Sequence, residues 1–216
     1  MTFGDEDPRR IADPVFEPHW PGRRVLVDVV AGAVTVRDID LGELPRTTDL
    51  HAAIGAACFA RELVLDGYLV PGPLPGIDAP RLPPSTTDGI KRSEMLRMLL
   101  LGSLAERRVP GAAEAQPRVV DLPIDGPIAF VAVDLLWLDG EPLLDLPLGE
   151  RKRLLESVVT DGASVRRALG VRPPAERWHS HWRSQGLEEM AVKGANSRYV
   201  PGGRSRDWTI VRIPRS

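Results

Sequence analysis

The chain has 216 residues, 43% of them hydrophobic, with 28 Lys or Arg against 30 Asp or Glu and a formal net charge of −2. That length fits one large domain or two small ones, and the apolar share can bury a core, which excludes a wholly disordered chain. The balanced charge carries no global nucleic-acid or membrane signature. Cys58 is the single cysteine, which excludes an internal disulfide and a Cys-rich zinc site. The start "MTFGDEDPRR" is acidic and polar and lacks the apolar stretch of a signal peptide. No apolar run approaches the length of a membrane span. The expectation is a soluble, cytoplasmic protein, with residues 1–12 as a flexible N-terminal segment and one domain over 13–216.

The stretch "EPHWPGRR", Glu17 to Arg24, packs an acid, a His, a Trp, a turn and two Arg into the entrance of the first strand. Arg24–Val30 alternates and is rich in β-branched residues, and Ala33–Ile39 follows it across Ala31-Gly32; this predicts a hairpin with Gly in the turn. Asp49–Arg61 is predicted as a short helix with Asp49 as its N-cap. Glu62–Val70 is predicted as a strand bent at Asp66-Gly67. Residues 71–84 hold six prolines and form the core of an expected Pro-rich loop over 71–90. Helical spacing follows over Asp88–Arg108, and a loop of small residues and Pro over 109–117. Pro127–Gly140 is a long apolar strand ending in an Asp-Gly turn. Leu148–Val159 is an amphipathic helix, and Ala175–Gly186 is another that stops at Gly186. "LEEMAVKG" and "DWTIVRI" are two strands around a loop rich in Gly, Pro and Arg. Irregular alternation with hairpin-like neighbours predicts an α+β fold of mostly antiparallel sheets flanked by helices.

Lysine chemistry has three candidates only, Lys91, Lys152 and Lys193, because the other 25 basic residues are Arg, which does not readily give up its proton. Lys91 and Lys152 fall in predicted helices, far from the first hairpin. Lys193 ends a strand beside Gly194, where an ammonium can be aimed at a phosphate. From Arg183 to Ser216 there are seven Lys or Arg against three acids, interleaved with Tyr199 and Trp208. This pattern suits a phosphate backbone or a nucleotide, and equally a solvated basic edge. His179 and His181 stand at i and i+2 on a helix and do not face each other, so no metal site is expected. Trp178 and Trp182, at i and i+4, are expected to pack in the core.

The run "GLEEMAVKGANSRYVPGGRSRDWTIVR", Gly186 to Arg212, resembles the C-terminal motifs of the adenylation domain of ATP-dependent DNA ligases. In that family Gly-Leu-Glu-Gly-x-x-x-Lys precedes Ser-x-Tyr-x-Pro-Gly-x-Arg-Ser and Trp-x-Lys-x-Lys. "FVAVDLLWLDG" followed by "PLGERKRLLESVV" resembles the family's Phe-Asp-Leu-Leu-x-x-Asp-Gly strand and the helix after it. The resemblance implies a ligase-type nucleotidyltransferase fold, ATP-grasp-like, over Asp13–Ile213. It also implies ATP and Mg²⁺ as cofactors and duplex or nicked DNA as partner, beside a protein partner. The family's further OB-type domain is not expected, since the chain stops at Ser216.

In the family a lysine attacks the α-phosphate of ATP, and Mg²⁺ and cationic side chains spread the charge. The nucleophile motif, Glu-x-Lys-x-Asp-Gly-x-Arg, falls on "EPHWPGRR". Glu17, Gly22 and Arg24 match, but His19 stands at the lysine position and Pro21 at the Asp position. Tyr68 stands at the Glu of the family's Asp-Gly-Glu, and Val133 at the aromatic residue that stacks on adenine. Asp139-Gly140-Glu141 also spells Asp-Gly-Glu, but it follows the "DLLWL" strand and is expected to be only a turn. Arg37 corresponds to the ribose-side Arg and Lys193 to the phosphate-facing Lys. Trp208 matches, while Ile210 and Arg212 replace two lysines.

The resemblance thus implies a nucleotide site of Glu17, Arg24, Arg37, Lys193 and Arg212 around His19, and a DNA-binding edge of Arg198, Arg204 and Arg206. The linked losses of the motif lysine (His19), its supporting Asp (Pro21), the motif Glu (Tyr68) and a lysine near the phosphates imply a domain that no longer adenylates itself, since residues acting as a unit lose most of their rate at the first removal. The alternatives are an active nucleotidyltransferase using degenerate motifs, and a purely structural partner-binding subunit.

Overall fold

The computed structural model describes residues 1–38, 44, 48–74 and 126–214. The predicted helix over 88–108 with Lys91, the loop over 109–117 and most of the Pro-rich loop lie outside the described residues.

Among the described residues ten strands form two sheets. The smaller sheet has the order β1 (Thr2–Gly4), β10 (Arg204–Arg212), β9 (Glu189–Gly194), β2 (Pro14–Pro18). The larger runs β4 (Ala33–Asp38), β3 (Arg23–Val30), β5 (Glu62–Pro71), β6 (Ile128–Leu138), β7 (Glu141–Pro142), and β8 (Val165–Arg167) pairs with β6. All pairings are antiparallel except β1 with β10 and β6 with β8. The helices are α1 (Thr48–Ala57), α2 (Leu148–Val158) and α3 (Glu176–Ser184). This is the expected α+β class.

Local chemistry accounts for most of these elements. Ala31 (φ 48°) and Gly32 (φ 82°) make the two-residue left-handed turn that matches the twist of a hairpin, so β3 and β4 pair from Val30↔Ala33 to Val25↔Asp38. Asp139 (φ 44°) and Gly140 (φ 94°) make the same kind of turn between β6 and β7, so Asp139-Gly140-Glu141 is a hairpin. The expected bend at Asp66-Gly67 is present as a register shift between β5 and β6. Gly67 is needed there because a Cβ would meet the Phe130 ring and the Val131 carbonyl at 2.4 Å. α1 ends at Ala57, earlier than the periodicity suggests, because Cys58 leaves the helix to bridge Val159.

The larger sheet is covered on both faces. One face packs Val25, Val27, Leu65 and Phe130 against Leu50 and Ile54 of α1 and Leu155 of α2. The other face turns Tyr68, Val131 and Val133 toward Trp182, Met190 and Ile213. Beside them Trp137 and Leu136 meet Met1, Tyr199 and Trp208. As expected, Trp178 and Trp182 stack on each other, with ring centroids 6.4 Å apart, and belong to this core.

Residues 1–12, expected to be a flexible segment, include β1 and a 3₁₀ turn at Pro8–Arg10, and Met1 and Ile11 are buried. Three residues carry too little pattern to be seen locally; β10 supplies the partner that makes them a strand.

Candidate nucleotide site

"EPHWPGRR" links the two sheets: Glu17 and Pro18 end β2 in the smaller sheet, and Arg23 opens β3 in the larger. Gly22 is where the loop touches the larger sheet, and a Cβ there would lie 2.2 Å from the Leu69 carbonyl oxygen. His19 is consequently held between the sheets and is 9% exposed. Its Nδ1 lies 3.1 Å from Glu189 Oε2, and its ring meets Phe3 and Tyr68 edge-on at 5.8 and 5.7 Å. Burial lowers the His19 pKa, against the opposing pull of Glu189, so the imidazole is neutral at pH 7.

Lys193 faces the same space from β9, opposite Trp208 of β10 and Val15 of β2. Its Nζ lies 4.4 Å from the centre of the Trp208 ring and donates to Glu17 Oε2 at 2.8 Å. Lys152 reaches the other carboxylate oxygen, Oε1, also at 2.8 Å, and donates to the Ala168 carbonyl at 3.2 Å. This corrects the expectation that Lys152 lies far from the hairpin: α2 docks so that this side chain reaches Glu17. Burial alone raises the Glu17 pKa, but the two ammonium groups outweigh it and hold the carboxyl below its ordinary range. Burial lowers the pKa of Lys152, and Glu17 opposes that shift. One buried carboxylate thus holds two lysines.

A second buried network frames the site. Arg24 grips Asp66 through Nε at 2.9 Å and Nη2 at 2.5 Å, and Tyr199 donates its hydroxyl to Asp66 at 3.0 Å. Arg151 of α2 grips Asp134 in the same bidentate way at 2.9 and 2.8 Å. Asp66 and Asp134 stand opposite each other on β5 and β6, so each needs its own guanidinium. Trp208 Nε1 donates to Ser197 Oγ at 2.7 Å, which in turn donates to the Gly194 carbonyl. The family-like residues Asp134, Arg151, Ser197, Tyr199 and Trp208 therefore hold the wall of the site together.

The cavity brings together Glu17, His19, Arg24 and Lys193 of the expected set, with Tyr68 and Val133 at the replaced family positions. Burial pushes the Tyr68 phenol up to about 12, so it stays protonated and supplies no negative charge. Arg37 is not among the lining residues; it lies on β4, 3.8 Å from Asp28. Arg212 is exposed at the far end of β10, in register with Glu189. Of the arginines read as a DNA edge, Arg204 bonds the Phe3 carbonyl and pairs with Asp5, Arg198 lies 3.5 Å from Asp145, and Arg206 is exposed. Sequence reasoning missed Phe3, Lys152 and Glu189 as part of the site. Phe3 and Glu189 arrive through strand pairing, which leaves no local trace.

Cationic Arg24 and Lys193 and the rings of Tyr68 and Trp208 suit a flat base and its phosphates. The cavity between these groups, with Phe3 among its lining, is nonetheless only about 10 Å³, room for about one water molecule. The carboxylates do not fit a directly held Mg²⁺. Glu17, Asp66 and Asp134 are each engaged by Lys or Arg, Glu189 bonds His19, and no group of three metal-ligating side chains gathers among the described residues. His181 Nε2 lies 3.0 Å from Gln185.

Residues 91–211 match the family described as ATP dependent DNA ligase domain, more than half of the chain, and the protein belongs to that family. A probable DNA ligase of Streptomyces coelicolor is 37% identical over 94% of this chain and 36% of its own length. The multifunctional non-homologous end joining protein LigD of Mycolicibacterium smegmatis is 26% identical over 92% of this chain and 21% of its own length. The chain thus spans about a fifth to a third of these curated relatives. Among solved structures, a mycobacterial DNA ligase D complexed with ATP and MES superposes with a TM-score of 0.56 at 22% identity, covering 97% of this chain and 58% of the other. The ligase domain of M. tuberculosis LigD gives 0.55 at 24% identity, covering 92% and 53%. The fold is that of a ligase nucleotidyltransferase domain. Among the described residues no helix is long and apolar enough to cross a membrane.

Proposed function

We propose that this ligase-type domain binds nucleotide, DNA or both without adenylating itself, and serves as a cytoplasmic binding module in DNA repair or end joining. The observation that carries the reading is the setting of His19. At the position that the resemblance matches to the attacking lysine, the chain carries an imidazole that burial keeps neutral, bonded to Glu189 and set edge-on to Phe3 and Tyr68. Bound ATP supplies an electrophilic α-phosphorus and a pyrophosphate leaving group. Lys193 and Arg24 line the cavity as the cations nearest to anionic oxygens there, each already paired, with Glu17 and with Asp66, and Tyr68 brings no carboxylate to position a metal.

DNA binding rests on Arg198, Arg204 and Arg206 and on the resemblance. The relatives are DNA ligases and an end joining protein by name, and kinship with them supports this setting.

A second reading, an active nucleotidyltransferase, is favoured by one observation: two of the three lysines, Lys152 and Lys193, converge on Glu17. Intact-protein mass after incubation with ATP and Mg²⁺ separates the readings, with His19→Ala and Lys193→Arg as controls. The expected result is no AMP-sized gain in folded protein. A gain lost in His19→Ala makes His19 a nucleophile, and one lost only in Lys193→Arg assigns the role to that lysine; either overturns the inactive reading.

A further inference from the structure

We propose that the N-terminal strand is a built-in competitor for the cavity: Phe3 takes the place of the base of a purine nucleotide, and ATP binds only when β1 lets go of β10. This rests on the nucleotide-binding reading above and names its regulation.

Three observations converge. Phe3 is a flat aromatic ring lining the cavity, 5.8 Å from His19 and 5.9 Å from Trp208. The cavity's 10 Å³ admits no base unless part of its lining moves, and Phe3 is the lining residue carried by the shortest strand there. The same segment also engages the cations around the cavity. Arg24 Nη1 donates to the Met1 carbonyl at 2.5 Å, and Arg204 donates to the Phe3 carbonyl at 3.1 Å and pairs with Asp5. Glu6 adds a second acid to the cleft that Asp5 shares with Arg204 and Arg206. An aromatic ring followed by two carboxylates, set against arginines, reproduces the chemistry of a base and its phosphates.

The strand is built to release. β1 has only two pairing positions on β10, Thr2↔Arg204 and Gly4↔Thr209, with a register shift between them. Two steps on one strand face five on the other, so the ladder is interrupted. The Asp5–Arg204 pair is 81% and 51% exposed at its two side chains, where ion pairs contribute little. Gly4 permits the close approach, since a Cβ there would lie 2.3 Å from the Ser205 carbonyl oxygen. Release is resisted by the burial of Met1 and by the Phe3 ring itself.

A strap closed about ten times as often as it is open weakens apparent affinity about tenfold, and loosening it restores that factor. The test is calorimetric titration of ATP into the full chain, Phe3→Ala and Asp5→Ala. A nitroxide on Thr2→Cys, in a Cys58→Ser background, reports the strand, since Thr2 is exposed. Phe3→Ala is expected to bind ATP about tenfold more tightly and Asp5→Ala more tightly by a smaller factor, and ATP should sharpen the nitroxide spectrum. Equal or weaker affinity in both variants, with an unchanged spectrum, overturns the strap and leaves the nucleotide reading standing. Absence of ATP binding in all of these proteins overturns the nucleotide reading and the strap with it.

Discussion

Glu17 is the residue on which most of the site's electrostatics turns. It is 1% exposed and holds both Lys152 and Lys193. Glu17→Gln removes the charge and leaves two buried ammonium groups together, so it should destabilise the fold by about 3–5 kcal/mol in urea denaturation. The pH dependence has a definite sign. The Glu17 carboxyl is held below its ordinary 4.5, so its contribution is present above that value and is lost as pH falls through the folded pKa. His19 lies below its ordinary 6.5, because burial favours the neutral ring, so acidification from 6.5 downward charges it at a cost. Stability should therefore fall on acidification in two stages. His19→Phe should flatten the upper stage and Glu17→Gln the lower one, as read from unfolding curves between pH 7 and pH 3. An upper stage unchanged in His19→Phe would show that another group controls it.

At the scale of elements, α2 is joined to β6 by a charge pair that has no exposure at either end, Arg151 with Asp134. Breaking it from one side, with Arg151→Ala, should cost about 3–5 kcal/mol, because Asp134 is left charged in the core. Replacing both partners, Arg151→Met with Asp134→Leu, should recover most of that loss, since apolar pairs of similar volume often match a buried ion pair. The double-mutant cycle in urea checks it, and a double variant as unstable as Arg151→Ala alone would mean that the bonds from Arg151 to the Leu146 and Ser197 carbonyls carry the join instead. These residues explain why the motifs remain readable in this chain. Asp134, Arg151, Ser197, Tyr199 and Trp208 hold sheets and helix in place whatever the site does, whereas the positions that the motif resemblance marks as replaced, among them His19, Pro21, Tyr68 and Val133, are those whose family roles are chemical or nucleotide-directed.

At the scale of the whole molecule, the basic C-terminal run is partly neutralised by its own N-terminal segment. Arg204 pairs with Asp5, and Glu6 lies in the same cleft as Arg206. If Arg204 and Arg206 meet DNA phosphates, the double change Arg204→Ala with Arg206→Ala should weaken a gel shift uniformly across sequences. It should also reduce the log–log salt slope by up to about 2, since each phosphate that a cation neutralises adds about 0.9 to that slope. An unchanged binding curve would make this edge a solvated surface.

The sequence by itself determined the elements whose signal is local. Alternation and an Ala-Gly turn set the β3–β4 hairpin, Asp-Gly set the β6–β7 turn, and helical spacing set α2 and α3. It also determined the family, because the motif residues double as framework. Tertiary structure alone decided what the site contains. Lys193 meets Glu17 across 176 positions of sequence, and Trp208 meets Phe3 through a strand of three residues. Lys152 joins them only because α2 docks with that side chain toward β2. The physical reason is that periodicity reports which face of an element is apolar, while the choice of partner for a buried charge or ring depends on which strands pair, and pairing between distant segments leaves no period to read.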